Sequence, residues 1–267
     1  MKKVLVVTSL MIIGLFVTAP LYGEEILRVK GRYWDSAIDG KVTADTKLVS
    51  GTKLDLVKDL NLDKTTFIPE FELTFKLGMN KIIGSYATAS YTGKNTLSTN
   101  INFGGSTYSA NNVVKTNLDL TLGSVLYERL FVPEFITRAF PSVAEAEAGL
   151  LLGVKYLSAD TKLTSPLVSK TEKGSVPIPV IGLFLNLGLL DKKLDFEVGA
   201  VGFKTTVSSV TAEYFDVYFD VGFNFIKYVP IGIGYKMNRF STQDKKNNAF
   251  GVNLNLSGPY AFATIGF

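Results

Sequence analysis

The segment Thr211–Phe225 constrains the fold more than any other part of the chain. From Phe215 to Phe225 every second residue is apolar, and the residues between them carry polar groups or are glycine. Side chains of a β-strand point alternately to its two faces, whereas a helix would spread the same residues around its circumference. The segment therefore predicts a long strand with one apolar wall, which suits contact with lipid as well as contact with a core.

Residues 1–23 have the pattern of a secretory signal peptide, and we assign residues 24–267 to one mature domain. Two lysines precede an apolar run, Val4–Val17, and Gly23 lies at a plausible cleavage site. An uncleaved anchor is the alternative, because Leu21 occupies a position where a small residue is preferred. Beyond this segment, no uncharged apolar stretch reaches the roughly 20 residues that a membrane helix requires. An exported chain that still spans a membrane must then form a closed β-barrel, since lipid cannot satisfy an open sheet edge.

Alternation of the same kind recurs along the chain and predicts ten strands. They are Ile26–Trp34, Phe67–Leu77, Ile82–Thr92, Asn117–Arg129, Glu145–Ser158, Val176–Leu189, Leu194–Val207, Thr211–Phe225, Ile231–Arg239 and Ala249–Phe267. In the fourth, Leu118, Leu120, Leu122 and Leu126 are predicted to face lipid. In the last, the apolar positions change parity, which predicts a bulge at Ser257–Pro259.

The predicted connections alternate between long and short. Three long polar loops, Asp35–Thr66, Gly93–Thr116 and Ala159–Ser175, are expected on one side, with tight turns on the other. Within the first loop, Asp55–Leu62 either folds inward as a partial plug or extends a strand. The aspartates of that loop match no calcium-binding spacing, so we interpret them as solvated charges. Phe131–Val143 has helical spacing and is either a short interfacial helix or a packed apolar loop.

With its signal sequence, even number of strands, unequal connections and terminal aromatic Phe267, the chain resembles the small outer-membrane β-barrel proteins of Gram-negative bacteria. The resemblance is one of architecture and covers essentially the whole mature length. It implies an all-β, antiparallel, up-and-down transmembrane β-barrel of about ten strands in the cell outer membrane. It also implies contact with outer-membrane lipid and lipopolysaccharide, and a role for Phe267 in the signal that the barrel-assembly machinery reads.

Composition removes most kinds of active site. The chain has no histidine and no cysteine, which excludes serine–histidine and cysteine–histidine catalysis and the ordinary zinc sites. Outer-membrane proteases and phospholipases resemble the chain in architecture, but their catalytic sets include a histidine. A two-carboxylate glycosidase remains open. We expect a non-enzymatic monomer with no cofactor or metal site, and its near-neutral charge gives no reason to expect a nucleic-acid partner.

The polar walls of the predicted strands hold cations and anions that would share one lumen. The set is Arg28, Lys30, Arg32, Glu70, Glu72, Glu145, Glu147, Asp195, Glu197, Asp216 and Asp220, together with Lys76, Asp119, Lys155 and Lys236. Unpaired buried charge is costly, so these groups should pair across strands or lie in water. A ten-stranded barrel is near the size that side chains can fill. We therefore predict a structural charge network in a surface protein, with a narrow, cation-preferring pore or small-solute transporter as the alternative.

A secreted lipocalin-like barrel is a third hypothesis, in which the apolar wall would turn inward around a ligand. The directions of Asp216 and Val217 distinguish it from a membrane barrel. Aromatic residues near the predicted strand ends would form interfacial girdles: Tyr33, Trp34, Tyr91, Tyr127, Tyr156, Tyr214, Tyr228 and Tyr260.

Overall fold

A computed structural model of the chain describes residues 26–44, 51–139, 143–207, 210–226, 229–244 and 250–267. The predicted signal peptide, part of Phe131–Val143, and Tyr228 lie outside the described residues. Within the described part of the chain, no helix is long and apolar enough to cross a membrane.

The chain is built almost entirely of antiparallel strands. In order, the elements are β1 (Leu27–Ala44), β2 (Leu54–Asp55), β3 (Thr65–Leu77), β4 (Asn80–Thr96), β5 (Ile101–Phe103), β6 (Ser106–Tyr108), β7 (Val113–Phe131), α1 (Glu134–Ala139), β8 (Val143–Thr164), β9 (Ser169–Leu189), β10 (Leu194–Val207), β11 (Val210–Ile226), β12 (Val229–Asp244) and β13 (Phe250–Gly266).

Ten of these strands close into a barrel, because β13 pairs with β1 and each of the others pairs with its neighbours along the chain. Following directly paired residues around the barrel from Leu27 leads back to β1 at Asp39. Such a stagger fixes the tilt of the strands, and a barrel of ten tilted strands has a narrow interior. The prediction of an all-β, antiparallel, up-and-down barrel of about ten strands is confirmed.

The first and last described residues of the chain lie side by side at one opening of the barrel, because the Ile26 amide donates to the Phe267 carbonyl at 2.8 Å. We call this the terminal end and the opposite one the distal end. Tight turns at the terminal end join β3 to β4 and β9 to β10, where Leu190–Lys192 adopt positive φ angles. The six-residue helix α1 lies in the β7–β8 connection at the same end.

The strands reach further toward the distal end than the sequence predicted. β1 continues to Ala44, and only Ser165–Val168 separate β8 from β9. The predicted loops Asp35–Thr66 and Ala159–Ser175 are therefore wrong over much of their length. In these distal parts of the strands, apolar and polar residues still alternate, but the apolar residues lie on the inner face. The distal parts therefore lack the apolar outer wall from which the strands were predicted.

β13 shows this exchange of faces in a single strand. Val252, Leu254 and Leu256 are buried inside the barrel, whereas Ala261, Ala263 and Ile265 are exposed on its outer surface. Pairing with β1 and β12 keeps one register through Ser257–Pro259, so the predicted bulge is wrong. The parity of the strand is constant, and what changes is which face carries the apolar residues.

The inner and outer faces of the barrel exchange apolar for polar residues at about the same height along the barrel axis. Near the terminal end the outer surface is apolar, as at Phe71, Leu183 and Phe219, which are 64%, 61% and 44% exposed. Nearer the distal end the apolar residues point inward and form a core that includes Ile38 and Leu254. The four leucines predicted to face lipid, Leu118, Leu120, Leu122 and Leu126, belong to or pack against the interior core, so that prediction is wrong.

The aromatic girdle is only partly as predicted. Tyr33, Tyr127 and Tyr156 are exposed on the outer surface, at 57%, 42% and 42%. Trp34, Tyr91, Tyr214 and Tyr260 are instead buried in the interior. Position near a strand end could not separate the two groups, because an aromatic ring suits either face of such a barrel.

Candidate functional site

The charged residues predicted for the lumen are brought together in the terminal half of the barrel. At their centre, the Arg32 guanidinium donates to Glu70 at 2.9 Å and to Glu72 at 2.8 Å. Lys236 of β12, a strand that is not a neighbour of β3, donates to Glu70 at 2.9 Å. Arg32 and Glu70 are 8% and 5% exposed, so each buried charge here faces an opposite one. β1 and β3 position this cluster, because Arg32 and Glu70 are direct register partners.

Two aspartates of β11 extend the cluster across the lumen. Asp220 pairs with Lys30 and accepts a hydrogen bond from the Tyr260 hydroxyl. Asp216 accepts from Lys155 at 3.3 Å and from the Tyr214 hydroxyl at 3.1 Å. β11 therefore has Asp216 inside and Val217 outside, which disfavours a lipocalin-like arrangement.

A second cluster lies closer to the terminal end. Lys81 is 2.9 Å from Glu128 and 3.6 Å from Glu147, and Lys76 is 3.4 Å from Glu147. Glu128 is absent from the predicted lumen residues, because the leucines of the same strand were predicted to face outward. Val125 and Tyr127, an apolar and an aromatic residue on either side of Leu126, are the sequence signal that could have placed Glu128 inside, because both face outward in the structure.

The remaining predicted residues lie at the terminal mouth. Glu145 pairs with Lys192 at 2.9 Å, with both side chains about half exposed. Asp195 accepts from the Asn224 amide, and Glu197 accepts from the Tyr218 hydroxyl.

Arg28 faces the same mouth. The structure places Asp119 outside, exposed and hydrogen-bonded to Ser90 at 2.6 Å, so its assignment to the lumen is wrong.

Interior aromatic rings cover several of these cations. The Lys236 ammonium group lies 5.4 Å from the ring centroid of Trp34, and that of Lys30 lies 4.4 Å from Phe262. Such contacts are attractive when the cation is partly desolvated. The rings thus take up space that water would otherwise fill around the charges.

A wide space remains at the terminal mouth. A cavity of about 880 Å³ opens there, and its lining includes Arg28, Lys76, Glu147, Asp195 and Asn224. Further in, the cluster around Arg32 encloses only about 70 Å³. The lumen therefore narrows from a hydrated vestibule to a cluster of paired side chains.

Beyond the charges, apolar side chains pack in the distal interior. Leu54, Leu56, Leu60 and Leu62 are each at most 2% exposed and belong to the interior core. Each of the two interpretations of Asp55–Leu62 is met in part, because Leu54 and Asp55 pair with β1 and extend the sheet, whereas Leu56, Leu60 and Leu62 turn their side chains into the interior. We call residues 54–62 the plug segment.

Backbone hydrogen bonds hold the plug segment between β1 and β4. The Leu56 amide donates to Gly40 at 3.0 Å, and the Asn95 side chain donates to the Asp59 carbonyl at 2.9 Å. A Cβ at Gly93 would lie 2.6 Å from the Leu60 carbonyl oxygen, so this close approach requires glycine.

The hairpin β5–β6 covers the plug from the distal side. Gly104 and Gly105 have positive φ, as a two-residue hairpin turn requires. Phe103 and Tyr108 are buried, and the Tyr108 hydroxyl donates to the Leu163 carbonyl at 3.0 Å. Burial raises the pKa of this hydroxyl. The hydrogen bond from Tyr108 to Leu163 holds the hairpin against β8.

The aspartates of the first connection serve local structure. One Asp55 oxygen accepts from the Lys58 amide at 2.9 Å, and Asp59 accepts from the Asp55 amide at 2.8 Å. Among the described residues, no group of three or more metal-ligating side chains could hold a metal ion.

No known protein-family model matches the chain, and no curated protein sequence matches it. A solved structure does: the outer membrane protease OmpT from Escherichia coli superposes with a TM-score of 0.58 at 9% identity, over 94% of this chain and 99% of that one. The fold is that of an outer-membrane β-barrel.

Two weaker likenesses are the Neisserial surface protein NspA and the attachment invasion locus protein Ail of Yersinia pestis. NspA has a TM-score of 0.34 at 12% identity, over 90% of this chain and 97% of that one. Ail has a TM-score of 0.34 at 11% identity, over 91% and 98%.

The outer surface of this outer-membrane β-barrel fold has the dimensions that a bilayer requires. On β11 the outward apolar residues run from Phe225 to Phe215. At about 3.3 Å per residue and a tilt of about 40°, they span about 25 Å, the height of the apolar band of such barrels. The paired charges lie inside this band, and the apolar plug lies at and above its distal edge.

Proposed function

We propose that the protein is a non-enzymatic, integral outer-membrane protein with a closed lumen, whose distal end is a surface exposed outside the cell. The filled interior, with an apolar core at the distal end and a cluster of paired charges below it, is the observation that carries this proposal. Ions crossing the barrel would have to pass an interior packed with leucine, and an unsolvated charge in such surroundings is very unfavourable.

The charge network supports the same role. Arg32, Glu70 and Lys236 satisfy one another, and the space enclosed beside them is only about 70 Å³. Such a network stabilises the interior of a narrow barrel. The distal strands and the β5–β6 hairpin then provide a rigid, polar outer surface for structural or interaction roles.

The chemistry of the chain supports a role without catalysis. It has neither histidine nor cysteine, and no cofactor is needed for a structural barrel. Its partners would be the lipid and lipopolysaccharide of the outer membrane, with the barrel-assembly machinery recognising Phe267 during biogenesis. We further propose export through residues 1–23 and a monomeric state.

A planar bilayer tests the closed lumen. Folded protein, verified by heat-modifiable migration on a gel, is expected to insert without producing steady conductance. A cation-preferring current from correctly folded protein would contradict the closed lumen. Recovery of the mature chain as a freely soluble protein would contradict the membrane location.

A narrow pore or small-solute transporter is the second candidate, because the vestibule of about 880 Å³ gives one end of the lumen room for solute. In that case the plug segment would have to move. Replacing residues 54–62 by a glycine–serine linker distinguishes the two. A closed lumen filled by the charge network stays silent after the replacement, whereas a gated pore begins to conduct.

A further inference from the structure

A row of lysines crosses the outer wall of four adjacent strands near the distal end. Lys94 of β4, Lys115 of β7, Lys162 of β8 and Lys173 of β9 are all exposed, and the residues beside them in the sequence, such as Val114 and Leu163, point inward. We call these four residues the lysine row.

The register brings like charges together in this row. Lys94 and Lys115 are direct cross-strand partners, which places their Cβ atoms about 5 Å apart. Lys162 lies diagonally across from Lys115, because it pairs with Asn117 while Lys115 pairs with Thr164. Like charges directly opposite each other destabilise a sheet.

The surrounding acids do not pair directly with three of these lysines. The described residues offer no carboxylate within ion-pair distance of Lys94, Lys115 or Lys162. Of the nearest acids, Asp160 is held by Lys173 at 2.6 Å, and Asp119 accepts from Ser90 at 2.6 Å. Three ammonium groups are thus left for an external anion.

The height of the row indicates which anion. On β8, Lys162 lies six residues beyond Tyr156, the last exposed aromatic residue of the outer apolar band. That separation is about 15 Å along the barrel axis, at about 3.3 Å per residue and a tilt of about 40°. Phospholipid head groups extend only about 5–8 Å beyond the hydrocarbon core. Anionic groups at this height would therefore belong to the sugars of a larger lipid.

We propose that the lysine row binds the phosphorylated saccharide of the outer-leaflet glycolipid that surrounds the barrel. The inference rests on the proposed outer-membrane location and deepens it. Bound phosphates would bridge Lys94 to Lys115 and Lys115 to Lys162, and would replace mutual repulsion by attraction. They would hold the distal ends of β4, β7 and β8 in the glycolipid layer.

Binding of purified lipopolysaccharide with a phosphorylated core to detergent-folded protein tests the proposal. The triple variant Lys94→Gln, Lys115→Gln, Lys162→Gln is compared with Lys53→Gln, Lys58→Gln, Lys64→Gln, which removes the same charge from exposed positions of the first connection. A lysine near an anionic surface contributes about fivefold in affinity, so we expect at least a tenfold loss for the first variant and less than twofold for the control.

A second measurement guards against misfolding. Without glycolipid, Lys115→Gln is expected to raise the midpoint of unfolding slightly, because it removes the repulsion from Lys94. With glycolipid, it is expected to lower the midpoint relative to the unsubstituted protein. A destabilised variant would instead show a lower midpoint in both conditions, which would contradict the inference.

Other probes separate the sources of phosphate. Dephosphorylated lipopolysaccharide and phosphatidylglycerol vesicles are expected to bind both triple variants equally. Two results would overturn the glycolipid assignment while leaving the barrel proposal intact. The first is an equal loss of lipopolysaccharide affinity in the two triple variants, and the second is binding of a soluble polyphosphate as tight as that of lipopolysaccharide. Failure of the protein to fold in detergent or lipid would instead contradict the proposed function.

Discussion

Glu70→Gln removes the charge at the centre of the lumen network while keeping the shape of the side chain. Glu70 is 5% exposed and lies 2.9 Å from both Arg32 and Lys236. After the substitution Arg32 keeps Glu72 at 2.8 Å. The described residues give Lys236 no second carboxylate within ion-pair distance, so one buried ammonium group loses its direct partner and keeps only the more distant Asp216.

The expected cost follows from that geometry. Breaking a buried ion pair by removing one partner costs about 3–5 kcal/mol. The space of about 70 Å³ beside the pair allows some water to reach Lys236. We therefore expect the free energy of unfolding to fall by about 2–4 kcal/mol. Adding Lys236→Met removes the stranded charge and should recover about 1–2 kcal/mol of that loss.

Urea titration of the protein folded in lipid vesicles measures the change. Trp34, the single tryptophan, stacks on Lys236 and reports on this region, and heat-modifiable migration on a gel provides an independent probe. Glu213→Gln is the control, because its pair with Lys204 is 3.1 Å long but about half exposed, and it should cost less than about 1 kcal/mol. If Glu70→Gln costs no more than Glu213→Gln, the lumen is hydrated and our reasoning about its burial is wrong.

Three further substitutions test the plug and the level at which polarity changes. Leu56→Ala should cost about 2–5 kcal/mol in urea titrations, whereas Leu167→Ala, at a side chain that is 87% exposed, should change stability by less than about 0.5 kcal/mol. Leu183→Arg in the apolar band should lower the free energy of unfolding by about 2–4 kcal/mol. Ser175→Arg, further along the same outer face of β9, should lower it by less than about 1 kcal/mol, and equal costs would contradict the placement of the bilayer. Gly93→Ala should displace the plug segment and cost about 1–3 kcal/mol, and an unchanged unfolding midpoint would show that the close approach tolerates a methyl group.

Much of the terminal half of the barrel was predictable, because on strands such as β11 the two faces differ consistently, whereas β7 has the apolar Leu126 inside and was assigned wrongly. On β11 the apolar residues from Phe215 to Phe225 face outward and Asp216 and Asp220 face inward, as predicted for a strand with a lipid-facing wall. The strong contrast between walls also located Arg32 and Glu70 on inner faces before any pairing was known.

The distal half was not predictable in the same way. There Leu118 and Leu254 alternate with polar residues just as the lipid-facing positions do, yet they point inward. Alternation defines two faces without stating which one is outside. Where water rather than lipid surrounds the barrel, the hydrophobic effect turns the apolar face to the core, as in a soluble protein.

The sequence by itself determined that the chain forms long strands with two contrasting walls, and that it lacks the side chains of the common hydrolytic sites. Only closure of the barrel decided which charges meet, because Lys236 and Glu70 are separated by 166 positions and become neighbours across the lumen. The same closure decided that the leucines of the plug segment join the core inside the barrel. Pairing across a barrel depends on stagger and tilt, which arise from all ten strands together and are present in no single one.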